Sequence, residues 1–397
     1  MRILHVMRSF DPAAGGPIEG VRRLAAGYRE AGHEAEVVTL DRPDAAYLND
    51  APLPVHALGP GMGKYGYSAK LLPWLRANLA RFDGVVVNGL WQYHGLAAWR
   101  ACKGRIPYAV FTHGMLDPWF KRTYPLKHVK KWPYWALVEY RLLRDARRVL
   151  FTSEAEQQLA EESFWLHKWK GEVVPYGTPG PQGDADKLKT AFYAACPALK
   201  GRRFLVFLGR IHPKKGCDLL VEAFARIAGD VPELQLLVAG PDQTGWARDL
   251  RAKAAKLGVA DRVHWPGMLT GDAKWGALYA SEAFILPSHQ ENFGISVAEA
   301  LACGRAVLIS DKINIYAEIE MDGAALVEED TLAGTERLLR RWIELSADER
   351  ARMGAAARRC FEARYDSRRL AGAIAAVFAV SVKEEAGLQA IPSRMER

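Results

Sequence analysis

The sequence predicts an α/β protein built from two doubly wound, Rossmann-like domains. Short apolar strands alternate with amphipathic helices up to about residue 176, and the same alternation starts again near residue 204. A stretch that opens with Gly and Pro separates the two series from residue 177 onward. Strands that alternate with helices are typical of parallel sheets. A chain of 397 residues is also longer than one hydrophobic core usually supports.

The first domain begins with a β-α-β unit. The strand RILHVM precedes a helix that starts at Pro17, and Gly32 ends this helix before the strand AEVVTL. Five apolar residues share one face of the helix: Ile18, Val21, Leu24, Ala25 and Tyr28. Further strands are predicted at 84–88, 108–112 and 148–153.

The second domain repeats this pattern. Its predicted strands are FLVFLG, LQLLVAG, RVHWPG, AFILPS and RAVLIS, with helical segments between them. The segment 177–203 reads as a linker with a short helix. Because ligands bind such sheets at the carboxyl ends of the strands, we expect the site in the loops that leave them, in a cleft between the two domains.

Composition excludes several classes of protein. No apolar run reaches the ~20 residues of a membrane-spanning helix, and the stretch 371–382 reads as a packed helix. Five scattered cysteines without a C-x-x-C pair indicate a reducing compartment, with neither a zinc site nor a disulfide framework. The first residues lead directly into a strand without a signal-peptide pattern, so we expect a cytoplasmic protein. The formal charge of +8 favours an anionic partner.

Three strand exits carry candidate site residues. Gly15 and Gly16 precede a helix, where glycines let a ligand approach backbone N–H groups, although a simple turn explains them equally well. His113 ends the strand YAVFT, and a structural histidine is its alternative. Arg210 and Lys215, together with Lys214, suit a diphosphate, whereas a solvated basic loop is the alternative.

The fourth strand exit holds the stretch HQENFGISVAEALACG. Glu291 lies in the loop and Glu299 in the helix that follows. Carboxylates accept pairs of hydrogen bonds, and the vicinal hydroxyls of sugars donate them in pairs. The backbone N–H groups between the glutamates suit an anion, so this stretch suits a nucleotide sugar. The alternative for Glu299 is a capping box with Ser296, which leaves Glu291 unexplained.

The ordered set of motifs resembles the family 4 retaining glycosyltransferases, which have the GT-B fold. The E-x7-E stretch from Glu291 to Glu299 is accompanied in order by GGP, FTHG, FTSEAE, VVPYG, LGRIHPKKGCDLLVEAF and VAGPD. The resemblance spans residues 1–365. It implies an acceptor-binding domain over 1–176 and a nucleotide-sugar-binding domain over 177–365. It also implies that a C-terminal helix within 366–397 crosses back to the first domain.

The resemblance also implies roles for single residues. Gly16 would approach the donor phosphates, Arg210 and Lys215 would hold the diphosphate, and Glu291 would bind the transferred sugar. Glu299 would bind the ribose. The backbone N–H groups of the turn would face the sugar and the phosphate, and this turn consists of Asn292, Phe293, Gly294 and Ile295. His113 would lie beside the sugar at the reaction centre. The stretch 265–269, which includes Met268, would lie near the base.

Two features depart from the family pattern. The hinge reads VPYGTP, with Tyr176 and Thr178 where an Asn-Gly-Asp-like sequence is usual, which puts hinge contacts in doubt. A D-x-D at Asp184 and Asp186 would suggest a metal-dependent enzyme, but it falls in the linker, where we interpret it as solvated. We therefore expect no metal site and no cofactor.

We expect a retaining, metal-independent hexosyltransferase that acts in polysaccharide biosynthesis. Its expected donor is a nucleoside-diphosphate sugar, and its expected acceptor is a saccharide, with a lipid-linked saccharide as the favoured class. The alternatives are a non-catalytic nucleotide-sugar-binding protein, or a phosphorylase or epimerase on the same fold. UDP-glucose, UDP-galactose, UDP-N-acetylglucosamine and GDP-mannose all remain open as donors. Nucleic acid is not an expected partner, because paired glutamates would repel a polyanion. No dinucleotide fingerprint supports an oxidoreductase.

The segment 121–148 is a candidate membrane surface. It combines nine Lys and Arg residues with Trp132, Tyr134, Trp135 and Tyr140. Basic and aromatic residues on one helix suit the anionic cytoplasmic face of a membrane. The alternative is an ordinary helix with a solvated basic side and a buried aromatic side.

Overall fold

The chain divides into two compact α/β units. The computed structural model describes residues 1–12, 16–174 and 176–388, without the side chains of 380–388. One unit comprises Met1–Tyr176 together with the segment from Ser367, and the other comprises Gly177–Asp366. The predicted fold class, two doubly wound parallel α/β domains with a returning C-terminal helix, is confirmed.

The strands alternate with helices along the described chain. The strands are β1 Arg2–Val6, β2 Glu34–Thr39, β3 Val55–Ala57, β4 Gly84–Asn88, β5 Tyr108–Phe111, β6 Arg148–Phe151, β7 Gly171–Val173, β8 Arg203–Leu208, β9 Leu234–Ala239, β10 Val263–Gly267, β11 Ala283–Leu286, β12 Val307–Ser310 and β13 Ala325–Glu328.

The helices cover both faces of the sheets. They are α1 Gly16–Glu30, α2 Leu71–Asn78, α3 Tyr93–Cys102, α4 Trp119–Thr123, α5 Pro125–Tyr134, α6 Tyr140–Asp145, α7 Glu154–Glu161, α8 Ala185–Ala195, α9 Cys217–Ile227, α10 Trp246–Lys256, α11 Gly271–Ala280, α12 Ile295–Ala302, α13 Tyr316–Met321, α14 Leu332–Glu344, α15 Ala347–Cys360 and α16 Arg368–Leu388. π-helical turns occupy Trp135–Glu139 and Phe361–Tyr365. Among the described helices, none is both long enough and apolar enough to cross a bilayer.

Each sheet reverses its strand order once. The first sheet has the order β3-β2-β1-β4-β5-β6-β7, and the second has the order β10-β9-β8-β11-β12-β13. The paired strands are parallel throughout both sheets. At such a reversal the chain leaves neighbouring strands in opposite directions, which opens a crevice at their carboxyl ends. The topology therefore places candidate sites beside β1 and β4 and beside β8 and β11.

The central strands are buried on both faces. All residues of β4, β9 and β11 are buried, which explains why these strands read as continuous apolar runs without alternation. Helix α1 buries one face against the first sheet, and that face contains Ile18, Val21, Leu24, Ala25 and Tyr28 as predicted.

Three edge strands and one packed helix differ from the sequence prediction. Strands β3, β7 and β13 were not predicted, because they have only three or four residues and lie at sheet edges, where few apolar residues are needed. The predicted linker contains α8, which buries Leu188 and Phe192. A Cβ on Gly276 of α11 would lie 2.0 Å from the Leu188 carbonyl oxygen. Helix α8 is therefore part of the packed second unit.

The C-terminal helix packs on the first unit. In α16, Leu370, Ile374 and Phe378 are buried, and the Arg147 guanidinium donates to the Val377 carbonyl at 2.7 Å. A Cβ on Gly84 would lie 2.5 Å from the Phe378 ring, so only glycine leaves room for that ring. The first unit therefore combines segments from both ends of the described chain.

Replacing Phe378 by alanine should destabilise the first unit by about 3–5 kcal/mol, because it leaves a cavity over Gly84. Chemical denaturation followed by circular dichroism measures the loss. Gly372→Ala is the matched control on the same helix. The added Cβ meets no atom within 4 Å, so this substitution should stabilise the unit by at most about 1 kcal/mol. Equal stabilities of Phe378→Ala and the unmodified protein would show that α16 does not pack there.

Candidate functional site

Two loops of the second unit meet at the carboxyl ends of β8 and β11. The Ser288 hydroxyl and the His289 backbone N–H both donate to the Lys214 carbonyl, each at 2.9 Å. Gly216 has a φ of +66°, and a Cβ there would lie 2.1 Å from the Pro287 carbonyl oxygen. Only glycine satisfies both constraints. The loop that carries the predicted diphosphate-binding residues is therefore fixed to the loop that carries Glu291.

An ion pair joins the two loops. The Lys215 ammonium contacts the Glu291 carboxylate. Burial lowers the pKa of Lys215, and the neighbouring charges of Lys214 and Arg210 lower it further. The carboxylate acts in the opposite direction, because it favours the charged ammonium. The structure thus brings Lys215 and Glu291 together and places Arg210, which is exposed, within electrostatic range of them.

The loop after β11 is held in place by the chain that follows β12. The Glu291 backbone N–H donates to the Lys312 carbonyl at 2.9 Å, and the Asn314 N–H donates to the Glu291 carbonyl at 3.0 Å. The Asn314 amide also donates to the Asn292 side chain at 3.3 Å. These bonds fix the backbone of Glu291 and orient the side chain of Asn292.

Gly294 converts that loop into helix α12. It is the N-cap residue and has a φ of +74°, which favours glycine. The predicted anion-binding backbone at Phe293, Gly294 and Ile295 therefore lies at the start of an eight-residue helix, where the helix dipole attracts negative charge. Phe293 buries its ring edge-on against Tyr365, which anchors this turn.

Glu299 is buried within α12 and accepts a hydrogen bond from the Lys274 ammonium at 2.7 Å. The Lys274 ammonium also lies 4.3 Å from the Trp275 ring centroid. Helix α12 begins before Ser296, so Ser296 is not its N-cap residue. The capping-box alternative for Glu299 is therefore wrong, and Lys274 is a partner that the sequence did not indicate.

Met268 lies apart from the groups around Lys215. It follows β10, which β9 separates from β8, and its side chain is 65% exposed. The nearby Trp265 ring lies 5.9 Å from the Arg251 guanidinium. An exposed methionine offers an apolar surface to a planar base, and contact with the base stays a prediction.

The D-x-D in the predicted linker has a local structural role. The Asp184 carboxylate caps helix α8 by accepting hydrogen bonds from the N–H groups of Asp186 and Lys187. The Asp186 carboxylate forms an ion pair with Lys189 at 2.9 Å. Within the described residues, no group of three or more His, Cys, Asp and Glu side chains is close enough to hold a metal ion.

The first unit has a pocket of about 590 Å³ at its own strand-order reversal. Its walls come from the carboxyl ends of β1, β2, β4 and β5 and from the start of α1. The residues that offer hydrogen bonds to it are Arg8, Ser9, Asp41, Tyr47, Gln92 and His113. These polar groups surround an opening of a size that suits a sugar or a phosphate group.

His113 borders this pocket as a neutral, constrained side chain. Its φ of +49° is unusual for a residue other than glycine. The ring stacks on Phe111 at 4.8 Å, and its Nε2 atom lies 3.2 Å from the Asn88 amide oxygen. Burial lowers the pKa of His113 to about 3, so the ring is uncharged at neutral pH.

Glu156 holds the backbone on either side of His113. One carboxylate oxygen accepts hydrogen bonds from the Thr112 hydroxyl at 2.7 Å and from the Gly114 N–H at 2.6 Å. The other accepts from the N–H and the hydroxyl of Thr152, both at 2.7 Å. The buried Glu156 therefore stabilises the strained turn, which gives a physical role to its place in the FTSEAE motif.

Gly16 begins helix α1, and Gly15 lies outside the described residues. The Tyr176 hydroxyl donates to the Gly16 carbonyl at 2.7 Å. A Cβ on Gly20 would lie 1.5 Å from that hydroxyl oxygen, whereas a Cβ on Gly16 would meet nothing within 4 Å. Packing within the unit therefore requires glycine at position 20, and the predicted approach of a phosphate to Gly16 stays a prediction.

Glu139 supports the turn between β4 and α3, and Gly89 and Gln92 of that turn line the pocket. Its carboxylate accepts a hydrogen bond from the Trp91 N–H at 2.6 Å, and Trp91 has a φ of +71°. The second carboxylate oxygen is buried without a hydrogen bond. Burial raises the pKa of Glu139 to about 8. A protonated carboxyl thus holds the turn that leads from β4 to α3.

Comparison with known proteins gives two family matches. The model described as glycosyl transferases group 1 matches residues 194–360, and that described as glycosyl transferase 4-like domain matches residues 15–177. GDP-mannose:cellobiosyl-diphosphopolyprenol alpha-mannosyltransferase from Xanthomonas oryzae pv. oryzae is 28% identical over 78% of this chain and 79% of its own. Its namesake from Komagataeibacter xylinus is 27% identical over 84% and 81%.

A solved structure agrees in fold. Anabaena HepE in complex with UDP and glucose has a TM-score of 0.74 and 19% sequence identity, over 96% of this chain and 100% of that chain. At this identity the likeness supports the fold alone, and it agrees with the two doubly wound units described above.

Glu139 should make the first unit less stable as the pH rises from about 4.5 to about 8. The folded state holds a proton on this carboxyl throughout that range, whereas the unfolded state releases it near its ordinary pKa. The contribution of Glu139 to the free energy of unfolding therefore falls by up to about 1.4 kcal/mol for each pH unit in this range. Denaturation at several pH values should show that Glu139→Gln removes this slope. The exposed Glu154→Gln is the control, and a slope unchanged by Glu139→Gln would contradict the assignment.

Proposed function

The chain belongs to the group 1 glycosyltransferases, and from this premise we propose that it transfers a hexose, with retention of configuration, from a nucleoside-diphosphate sugar to a lipid-linked saccharide. The observation that carries the proposal is the junction of the loops after β8 and β11, where the Lys215 ammonium contacts the Glu291 carboxylate. One partner suits a diphosphate and the other suits sugar hydroxyls.

The second unit would act on the leaving group. Breaking the bond between the anomeric carbon and the diphosphate leaves negative charge on a phosphate oxygen. Arg210, Lys215 and the N-terminus of α12 would provide positive charge where that negative charge develops. Because protein cations fill this role, the proposal requires no metal ion.

Retention would follow from attack on the face that the diphosphate leaves. The acceptor hydroxyl forms the new bond to the anomeric carbon while the bond to the diphosphate breaks, and the hydroxyl proton passes to the departing phosphate oxygen. A double displacement would instead require a carboxylate nucleophile at the anomeric carbon. Glu291 is engaged with Lys215, which supports a sugar-binding role for it and favours the front-face reaction.

The names of the relatives direct the choice of substrates. Two relatives that align over most of their length are named as mannosyltransferases that use GDP-mannose and a cellobiosyl-diphosphopolyprenol acceptor. We therefore propose GDP-mannose as the first donor to test and a saccharide on a polyprenyl diphosphate as the acceptor class. A reaction of this kind belongs to polysaccharide biosynthesis at the cytoplasmic face of a membrane.

A membrane surface on the first unit would bring the enzyme to such an acceptor. Helices α5 and α6 and the π-helical turn between them form a continuous helical segment. Six of its exposed residues are spaced three or four positions apart and combine apolar and basic side chains: Leu126, Lys130, Pro133, Leu137, Arg141 and Arg144. Leu126 and the neighbouring Trp165 are each 78% exposed. We define these six residues with Lys127, Val129 and Trp165 as the basic-apolar surface.

The aromatic residues of this segment are not exposed, as residues of a membrane surface would be, but lie mainly inside the unit. Trp135 is fully buried, and Trp132 and Tyr140 are partly buried against the core of the unit. Tyr134 is partly buried and its hydroxyl lies 2.9 Å from that of Tyr65. The basic-apolar surface therefore depends on aliphatic side chains and on Trp165. Basic residues around exposed apolar ones complement an anionic lipid surface, which supports peripheral association.

Lys215→Ala should reduce the turnover of nucleotide sugar by roughly 10²–10³-fold, because it removes a cation that stabilises the leaving diphosphate. Release of nucleoside diphosphate in the presence of acceptor measures turnover, and circular dichroism checks the fold. The matched control is Lys256→Ala, an exposed lysine on α10, which should keep full activity. Near-normal turnover by Lys215→Ala would reject this assignment, and hydrolysis without transfer would favour a different reaction.

Removing Lys127 and Lys130 together should weaken binding to anionic vesicles by roughly 30-fold, since each basic residue near such a surface contributes ~1 kcal/mol. Sedimentation with phosphatidylglycerol vesicles at low salt measures binding, and neutral phosphatidylcholine vesicles serve as the lipid control. The variant Arg76→Ala with Lys256→Ala loses the same charge elsewhere. Equal loss of binding by both double variants, or no binding by the unmodified protein, would contradict the membrane proposal.

A further inference from the structure

A buried hydrogen-bonded chain leads from His113 into the interior of the first unit. The His113 Nε2 atom lies 3.2 Å from the Asn88 amide oxygen, and the Asn88 amide nitrogen lies 3.3 Å from Nδ1 of His5. The His5 Nε2 atom lies 2.9 Å from the Tyr28 hydroxyl. Asn88, His5 and Tyr28 are all buried. The polar atoms of each group can therefore form hydrogen bonds only with the other side chains of this series and with the adjoining backbone.

The backbone fixes the orientation of the Asn88 amide. Its nitrogen lies 3.2 Å from the Val86 carbonyl oxygen, which can only accept a hydrogen bond. The group that faces Val86 is therefore the NH2 group, and the amide oxygen faces His113. Reversing the amide would direct its oxygen at the Val86 oxygen and leave two acceptors in contact.

This orientation sets the position of the proton on both histidines. Because the Asn88 oxygen only accepts, Nε2 of His113 must carry the proton that is donated to it. Because the Asn88 nitrogen donates to His5, Nδ1 of His5 is unprotonated, and its Nε2–H donates to the Tyr28 hydroxyl. The tautomers follow from the hydrogen-bond network, since one donor and one acceptor meet at every contact.

We propose that Asn88 is a positioning residue that holds His113 in the Nε2–H tautomer, so that Nδ1 of His113 accepts a hydrogen bond from a substrate hydroxyl. Among the described residues, none forms a hydrogen bond with this Nδ1 atom, and His113 lines the pocket. The inference rests on the proposed function for the identity of the hydroxyl as one on a sugar.

The Nε2–H tautomer of His113 makes the pocket prefer a ligand group that donates a hydrogen bond. A hydroxyl can donate a proton to the Nδ1 lone pair, whereas a phosphate oxygen or a carbonyl would meet that lone pair as a second acceptor. The imidazole stays neutral because burial lowers its pKa. His113 would therefore distinguish a sugar hydroxyl from an anionic group, a role opposite to that of Lys215.

NMR spectroscopy can measure the tautomer of His113 directly. Long-range ¹H–¹⁵N correlation spectra of the full chain with ¹⁵N-labelled histidine show which ring nitrogen carries the proton, and His113→Gln identifies the signals of that residue. We expect the His113 proton on Nε2 in the unmodified protein. Asn88→Leu should lower the ratio of the Nε2–H to the Nδ1–H form by about fivefold, since one hydrogen bond contributes about 1 kcal/mol.

Tyr28→Phe is the matched control. It removes the far end of the chain but leaves the Val86 carbonyl to orient the Asn88 amide, so the His113 ratio should stay unchanged. A proton on Nδ1 of His113 in the unmodified protein would overturn the inference, even if Asn88→Leu fails to fold. An unchanged ratio in a folded Asn88→Leu would overturn it as well.

The spectra require no substrate, so this result is independent of the transferase assay. The wrong tautomer would overturn the role of Asn88 and leave the proposed glycosyl transfer standing. Conversely, a protein with the expected tautomer that fails to use any nucleotide sugar would overturn the proposed function alone.

Discussion

The contact between Lys215 and Glu291 is the interaction on which the candidate site depends. It exists because the strand order of the second sheet reverses between β8 and β11, so that two loops distant in sequence leave neighbouring strands and meet. Gly216 allows the close approach, and the Lys214 carbonyl ties the loops together. A cation and a carboxylate in one fixed place can hold the two chemically different parts of a nucleotide sugar.

In the first unit, a reversal of the strand order also creates a crevice, but different side chains line it. Its pocket lies at the reversal between β1 and β4, and the central histidine there is neutral and held by Asn88 and Glu156. A cation and a carboxylate therefore meet in the second unit, where a leaving diphosphate would need positive charge, whereas a neutral histidine lines the pocket of the first. This division of roles is consistent with transfer of a sugar from an anionic carrier to a hydroxyl.

Much of this arrangement could be predicted from the sequence, and the exceptions have physical causes. The apolar runs of β4 and β11 and the one-sided helix α1 are local patterns, so they were predicted correctly. Strand β7, with three residues at a sheet edge, has no such pattern. The loops that carry Lys215 and Glu291 were identified because strand exits are recognisable. The partners Asn88 and Lys274 were missed, because tertiary contacts alone bring them to His113 and Glu299.

The most direct test of the account is a thermal-shift titration of the full chain with GDP-mannose and the UDP sugars, repeated with Glu299→Ala and the exposed control Glu344→Ala. A ligand at 100 times its Kd stabilises the folded state by about 2.7 kcal/mol. The donor site proposed around Glu299 predicts that one donor raises the Tm of the unmodified protein and of Glu344→Ala, and that the increase largely disappears in Glu299→Ala. A donor that stabilises all three proteins equally, or no stabilising donor, would contradict it.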